Sequence, residues 1–149
     1  MQTFLPYKDF MESAKVLDKK RCWKQVIEAH QIINCLASDS ALLVGWRNHP
    51  AVKMWEGHTY WLREYFNDFL EVCIEKHRIN TKYDYFYQDL ITPNEKPWWL
   101  GNEDFHRAMR ARLIEKDREF YLPLFPNDEG YNDGKYWWPV METKTFRII

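Results

Sequence analysis

Between Lys19 and Leu36, apolar residues return at alternating spacings of four and three: Cys22, Val26, Ala29, Ile33 and Leu36. That interval matches the turn of an α-helix and not the two-residue alternation of a strand. The run predicts a helix with one continuous apolar stripe, which a stable fold must cover with a partner of comparable length. The stretch from Ala51 to Lys76 is the expected partner, with Met54, Trp61, Leu62, Tyr65, Phe69, Val72 and Cys73 placed for burial. Asn48 is expected to cap that second helix, with Pro50 in its first turn, where a missing N–H does no harm. Gly57 lies inside it, at a cost of about 1 kcal/mol against alanine, and is read as a point of close helix packing. Contact between the two helices is expected to bury Val26, Ile33, Leu62 and Phe69.

Two further helices complete an all-α expectation: one compact domain over residues 1–149, built of about four helices with irregular, aromatic-rich connectors. The first runs from about Phe10 to Leu17 behind Asp9 as N-cap. The last runs from about Glu103 to Phe120 behind Asn102, with Phe105, Met109, Leu113 and Ile114 facing inward. His106, Arg107, Arg110 and Arg112 are assigned to its other face, where the arginines alternate with acids as a solvated surface does. A helical turn is expected at Ser40–Val44, and an irregular covering segment from Tyr83 to Gly101, which holds Pro93 and Pro97. The final METKTFRII reads as a short strand or a packed extended tail.

Aromatic residues make up 17% of the chain, with eight Trp, nine Tyr and nine Phe. That exceeds what a core of this size needs, so some rings are expected to line a pocket or a surface. Ring faces stack on nucleobases and also anchor protein interfaces. Formal net charge is −1, which excludes a strongly basic domain and predicts weak, weakly salt-dependent binding to undamaged duplex DNA. The average hides an asymmetry: residues 1–63 carry nine Lys and Arg against six Asp and Glu, and the remainder twelve against sixteen. Cys22, Cys35 and Cys73 are odd in number and lack CxxC spacing, as free buried thiols do. The opening MQTFLPYKDF has no basic-then-apolar leader pattern and no apolar run reaches membrane length. An intracellular chain without a membrane partner is expected. Cys73 and His77 stand four apart, but no second ligand pair lies near, so neither a metal nor another cofactor is expected.

Four landmarks in order carry a family likeness: LDKKRCWKQVIEAHQII, NHPAVKMWEGHTYWLREY, the Arg-rich last helix, and GYNDGKYWWP. Together they resemble the pyrimidine-dimer DNA glycosylase/lyase family, the endonuclease V-like proteins best known from phage. The resemblance covers most of the chain by order and spacing. Its sharpest parts are Glu28 six positions after Cys22, His49 at the opening of a long aromatic-rich helix, and the Tyr/Trp-rich, Lys-containing C-terminus. It implies a base-excision enzyme that needs no metal and acts on a damaged or modified base in DNA. Glu28 would be the catalytic carboxylate, stabilising oxocarbenium-like charge at the sugar and moving protons. The N-terminal α-amine would attack C1′ to form a Schiff base. An α-amine keeps a neutral, nucleophilic fraction at physiological pH. Since Gln2 follows, the initiator methionine is expected to be retained, and Met1 to supply that amine. Arg21, Lys24, Gln31 and His49 would hold phosphate or base edges, with Tyr136 and Trp137 stacking.

Two arginines that flank the glutamate in the family fall here on Ile27 and Gln31, and basic character sits instead on Arg21 and Lys24. A second class of function therefore stands beside the enzyme: a non-catalytic protein of phage type that uses the same fold to sequester a free nucleotide, including a signalling nucleotide. Plain structural readings stand too. Glu28 and Lys24 are spaced as a surface i,i+4 pair worth ~0.2–0.5 kcal/mol. His49 suits a helix cap as well as a ligand contact, and Trp46 and Trp55 suit the core around a helix entry.

Overall fold

A computed structural model describes residues 1–38, 46–89 and 91–149. Among them the chain is mainly helical. In order come α1 (Phe10–Val16), α2 (Lys19–Ala37), α3 (Pro50–Lys53), α4 (Thr59–Glu75), α5 (Glu103–Lys116) and α6 (Arg118–Tyr121). A 3-10 turn (Tyr131–Gly134) then leads into the hairpin of β1 (Trp137–Val140) and β2 (Thr145–Ile148). The expected turn at Ser40–Val44 lies outside the described residues.

The caps are local and polar. Asp9 accepts from the Glu12 N–H at 2.8 Å, Asp18 from Arg21 at 3.2 Å and Asn102 from Phe105 at 3.1 Å. Each such cap contributes about 1 kcal/mol by satisfying a donor that the first turn leaves unpaired. The stripe on α2 packs against α4, and Val26, Ile33, Leu62 and Phe69 are all buried between them. Cys22 Sγ meets Cys73 Sγ at 3.3 Å in that interface. All three cysteines are buried free thiols, and the contact with Cys73 together with burial pushes the Cys22 thiol far up. Cys73 is wholly buried, its sulfur against Cys22. No group of three potential ligands occurs among the described residues.

The long second helix is not continuous. The chain leaves helix after Lys53 and re-enters it at Thr59, because Gly57 takes φ +79, which other residues rarely adopt. Nothing lies within 4 Å of where its Cβ would be, so this glycine serves a turn and not close packing. The break frees the Met54 carbonyl, which accepts the Trp99 indole N–H at 3.1 Å, and brings Trp55 wholly into the core. Trp55 meets Trp99 edge-on at 4.9 Å and Tyr65 at 5.4 Å. Many of the aromatic rings therefore build the core itself. Trp61, expected inside, sits half-buried at the rim and donates to the Glu95 carbonyl at 3.0 Å. Trp46, also expected inside, is 48% exposed.

The last long helix stops at Lys116. Asp117 leaves helical geometry there and caps α6 by accepting from Phe120. Its arginine face is not merely solvated. Arg110 pairs with Asp128 at 2.8 Å and Glu103 at 2.6 Å, Arg107 shares Asp128 at 3.1 Å, and Arg112 donates to the Gly134 carbonyl at 3.3 Å. The segment before α5 is irregular and is pinned to α4 by Asn67, which both donates to and accepts from Phe86 at 2.9 and 2.8 Å. The C-terminal run forms a strand pairing antiparallel with β1, Trp138 opposite Arg147. No helix among the described residues is long and apolar enough to cross a membrane.

Candidate active site

Residues 2–6 run across the core without regular structure, so their backbone groups need other partners. Side chains from most of the fold supply them. Gln2 N–H donates to Glu28 Oε2 at 3.1 Å, Thr3 N–H to the Tyr136 hydroxyl at 3.0 Å and Phe4 N–H to Gln25 Oε1 at 3.2 Å. The Thr3 carbonyl accepts from the Tyr136 hydroxyl at 2.5 Å, the Leu5 carbonyl from His106 Nδ1 at 2.8 Å and the Pro6 carbonyl from Arg110 at 2.8 Å. Tyr65 donates to Gln25 Oε1 at 2.6 Å and so orients the amide that holds Phe4.

These clamps keep their protonation states. Burial raises Tyr65 and Tyr136 well above the usual phenol range, so both hydroxyls remain donors. Burial pushes His106 down, opposed by its bond to Leu5. Its Nε2 accepts the Gly101 N–H at 2.9 Å, so the ring is the neutral Nδ1–H form. The result is an N-terminal segment held in one conformation, with Met1 delivered beside Glu28.

Glu28 is only 9% exposed and accepts from Gln25 Nε2 at 3.4 Å as well as from Gln2. It is not half of a surface pair with Lys24. A cleft of about 340 Å³ opens over it, lined by Met1, Gln2, Phe4, Lys20, Arg21, Lys24, Gln25, Glu28, Lys116 and Trp138. Among these described residues Glu28 is the one carboxylate, against four cationic side chains. The crowding registers on Lys116, which burial and the nearby Arg112, Arg21 and Lys24 push down while Glu28 pulls it up. Arg21 is anchored to Asp18 at 3.2 Å and lies over the Tyr121 ring at 5.9 Å. Such a cleft suits an anion whose reacting centre lies next to a carboxylate and an amine.

Met1, Glu28, Arg21 and Lys24 thus share one cleft. Gln31 lies in an adjoining cleft of about 270 Å³, on the other side of Met1, with Asn34, Cys35, Trp46 and Val52. His49 stands between Trp46 at 6.2 Å and Trp138 at 5.8 Å. Its Nδ1 accepts from Ala51 at 3.0 Å, so His49, not Asn48, caps α3. Burial and the N-terminal ammonium push it down, while Glu28 pulls it up. Tyr136 is buried beneath the cleft as a clamp on Thr3, and its ring packs on Phe4 and Trp138, at 6.4 and 4.1 Å. Trp137 points to the opposite side of the hairpin, against Tyr131 and Phe146. The aromatic side chains lining the cleft are Phe4 and Trp138, not the Tyr136 and Trp137 expected to stack.

Strand alternation was the signal for Trp138, since neighbours along a strand face opposite ways. Nothing local marks Lys20 or Lys116, which look like ordinary solvated lysines until the fold brings them to Glu28. A family model described as pyrimidine dimer DNA glycosylase matches residues 1–85, more than half of the 149 residues. No curated protein and no solved structure matches the chain.

Proposed function

The chain belongs to the pyrimidine dimer DNA glycosylase family, and from that premise we propose that it excises a damaged or modified base from DNA and cleaves the resulting site as a lyase. The observation that carries the reading is the Gln2 N–H held on Glu28 Oε2 at 3.1 Å, which sets the chain terminus and a buried carboxylate side by side in a cationic cleft. The Met1 amine attacks C1′ of the damaged nucleotide, and the glycosidic bond breaks as the base leaves with its electron pair. Glu28 stabilises the positive charge that develops on the sugar. After ring opening gives the Schiff base, the same carboxylate takes the C2′ proton and the bond to the 3′ phosphate breaks.

Arg21 and Lys24, with Lys20 and Lys116, hold the phosphates on either side of the reacting sugar. Phe4 and Trp138 offer apolar surface to the displaced base, and His49 supports Trp138 from the α3 cap. Gln31 contributes an amide to the adjoining cleft for a base edge. A pyrimidine dimer is the substrate the family description favours.

The same four cations suit the phosphates of a free nucleotide, and a cleft of about 340 Å³ is within the range of small-molecule sites. Excision separates the two readings. Duplexes carrying one pyrimidine dimer, whose cleaved base stays tethered to its neighbour through the cyclobutane ring, or another damaged base should show glycosidic cleavage and strand scission in single-turnover assays, while free nucleotides bind weakly by calorimetry. Tight nucleotide binding with no glycosidic cleavage of any lesion would replace the enzyme with the captor.

A further inference from the structure

We propose that the groove beside the N-terminal end of α2 is a second DNA-backbone site, contacting duplex phosphates about four base pairs to one side of the lesion. The inference rests on the base-excision reading of the Glu28 cleft. The groove encloses about 500 Å³ and is lined by Lys19, Lys20, Trp23, Arg78, Ile79 and Asn80. Lys20 also lines the Glu28 cleft, so cationic surface is continuous from one depression to the other along α2. Among the described lining residues three are cations and none is an acid.

The nearest carboxylate along the chain is Asp18, and it is engaged elsewhere. It caps Arg21, pairs with the Arg21 guanidinium and accepts from the Tyr121 hydroxyl. The ion pairs among the described residues leave Lys19, Lys20 and Arg78 unneutralised. The positive end of a 19-residue helix adds to their field.

Arg78 is held on the rim by the turn that ends α4, where Ile79 N–H bonds the Cys73 carbonyl at 3.0 Å. Trp23 forms a half-buried shelf, braced by Tyr83 at 5.8 Å. A cationic rim around a flat apolar shelf matches a sugar-phosphate backbone, with phosphates on the lysines and arginine and a deoxyribose on the indole. The spacing follows from α2 itself. Glu28 lies nine positions after Lys19, about 13.5 Å at 1.5 Å per residue, which, for α2 aligned with the duplex axis as this proposal places it, equals about four steps of the 3.4 Å rise along one strand.

The test uses the full chain and the double variant Lys19→Glu with Arg78→Glu, both exposed positions outside the excision machinery. Affinity for an undamaged duplex is measured against salt, and affinity for lesion duplexes is measured as either flank is shortened to two base pairs. The log–log salt slope of the variant should be shallower by about 1.8, for two phosphates at about 0.9 each. Shortening one flank should weaken the parent and leave the variant unchanged, while shortening the other affects both alike. Saturated single-turnover excision should agree within about twofold, as expected when only positioning contacts are lost. Equal salt slopes, or a flank dependence that persists in the variant, would overturn the groove. The two readings fail separately: a parent that excises nothing but shows the slope difference keeps the groove and loses the enzyme, whereas normal excision with equal slopes loses only the groove.

Discussion

Replacing Glu28 with glutamine should cut single-turnover glycosidic cleavage by about 10²–10⁴ while lesion affinity stays within about twofold. Glutamine keeps the length of the side chain and an oxygen that accepts the Gln2 N–H, now made by Glu28 Oε2 at 3.1 Å. The N-terminal segment therefore keeps its place, since Gln25, Tyr136, His106 and Arg110 hold it independently. What is lost is the negative charge facing the sugar and the capacity to exchange a proton. Four cations line the same cleft, so removing its carboxylate does not weaken attraction for DNA. Were the protein a captor of an anionic nucleotide, Glu28→Gln would leave affinity unchanged or improve it, with no turnover to lose. Glycosidic cleavage by Glu28→Gln at the parent's rate would remove Glu28 from the chemistry.

A large loss of stability is expected at Arg110, where Arg110→Ala should cost about 3 kcal/mol, the lower end of the range for breaking a buried ion pair, because this pair is only largely buried. Arg110 and Asp128 are 12% and 13% exposed and meet at 2.8 Å. Burial works against the guanidinium charge, yet Asp128 and Glu103 outweigh it and hold Arg110 above its ordinary value. Removing it strands Asp128 with Arg107 alone, at 3.1 Å, which is why the lower end applies. The Pro6 carbonyl also loses its donor, so the segment that delivers Met1 loosens and excision should fall along with stability. Arg110→Lys should recover only part of the loss, because an ammonium cannot serve Asp128, Glu103 and Pro6 together in the fork geometry of arginine. Denaturant midpoints of the three proteins check this. A loss below about 0.5 kcal/mol for Arg110→Ala, the size of an ordinary surface change, would show the network to be surface decoration.

Much of the helical frame is legible in the sequence because burial writes its period there. Cys22, Val26, Ala29 and Ile33 on one helix, and Leu62, Tyr65, Phe69 and Cys73 on the other, are buried where spacing puts them. The break between Lys53 and Thr59 is not legible by that route. Met54 and Trp55 are apolar and buried whether the chain there is a helix or a turn, so the hydrophobic pattern passes over the interruption. Only Gly57 marks it. Glu28 stands out through the family resemblance, in which a glutamate comes six positions after the residue matched by Cys22, and Arg21 and Lys24 follow from helical geometry on the same face. Lys20, Lys116, Phe4 and Trp138 enter the cleft through tertiary packing. The grip of His106, Arg110 and Tyr136 on the backbone of residues 3–6 leaves no pattern at all, because a carbonyl acceptor is the same in every residue.

The most direct measurement is borohydride trapping on lesion-bearing duplex, followed by mass mapping of the modified peptide. Attack by the Met1 amine gives an imine to the opened sugar, which reduction fixes as a stable secondary amine. The adduct is expected on the N-terminal peptide, at Met1, and should vanish when that amine is acetylated. Three lysines, Lys20, Lys24 and Lys116, line the same cleft and are the natural rivals as nucleophiles. An adduct on one of them that survives acetylation of Met1, or no adduct from a duplex whose glycosidic bond is being cleaved, would contradict the N-terminal amine as the group that attacks the sugar.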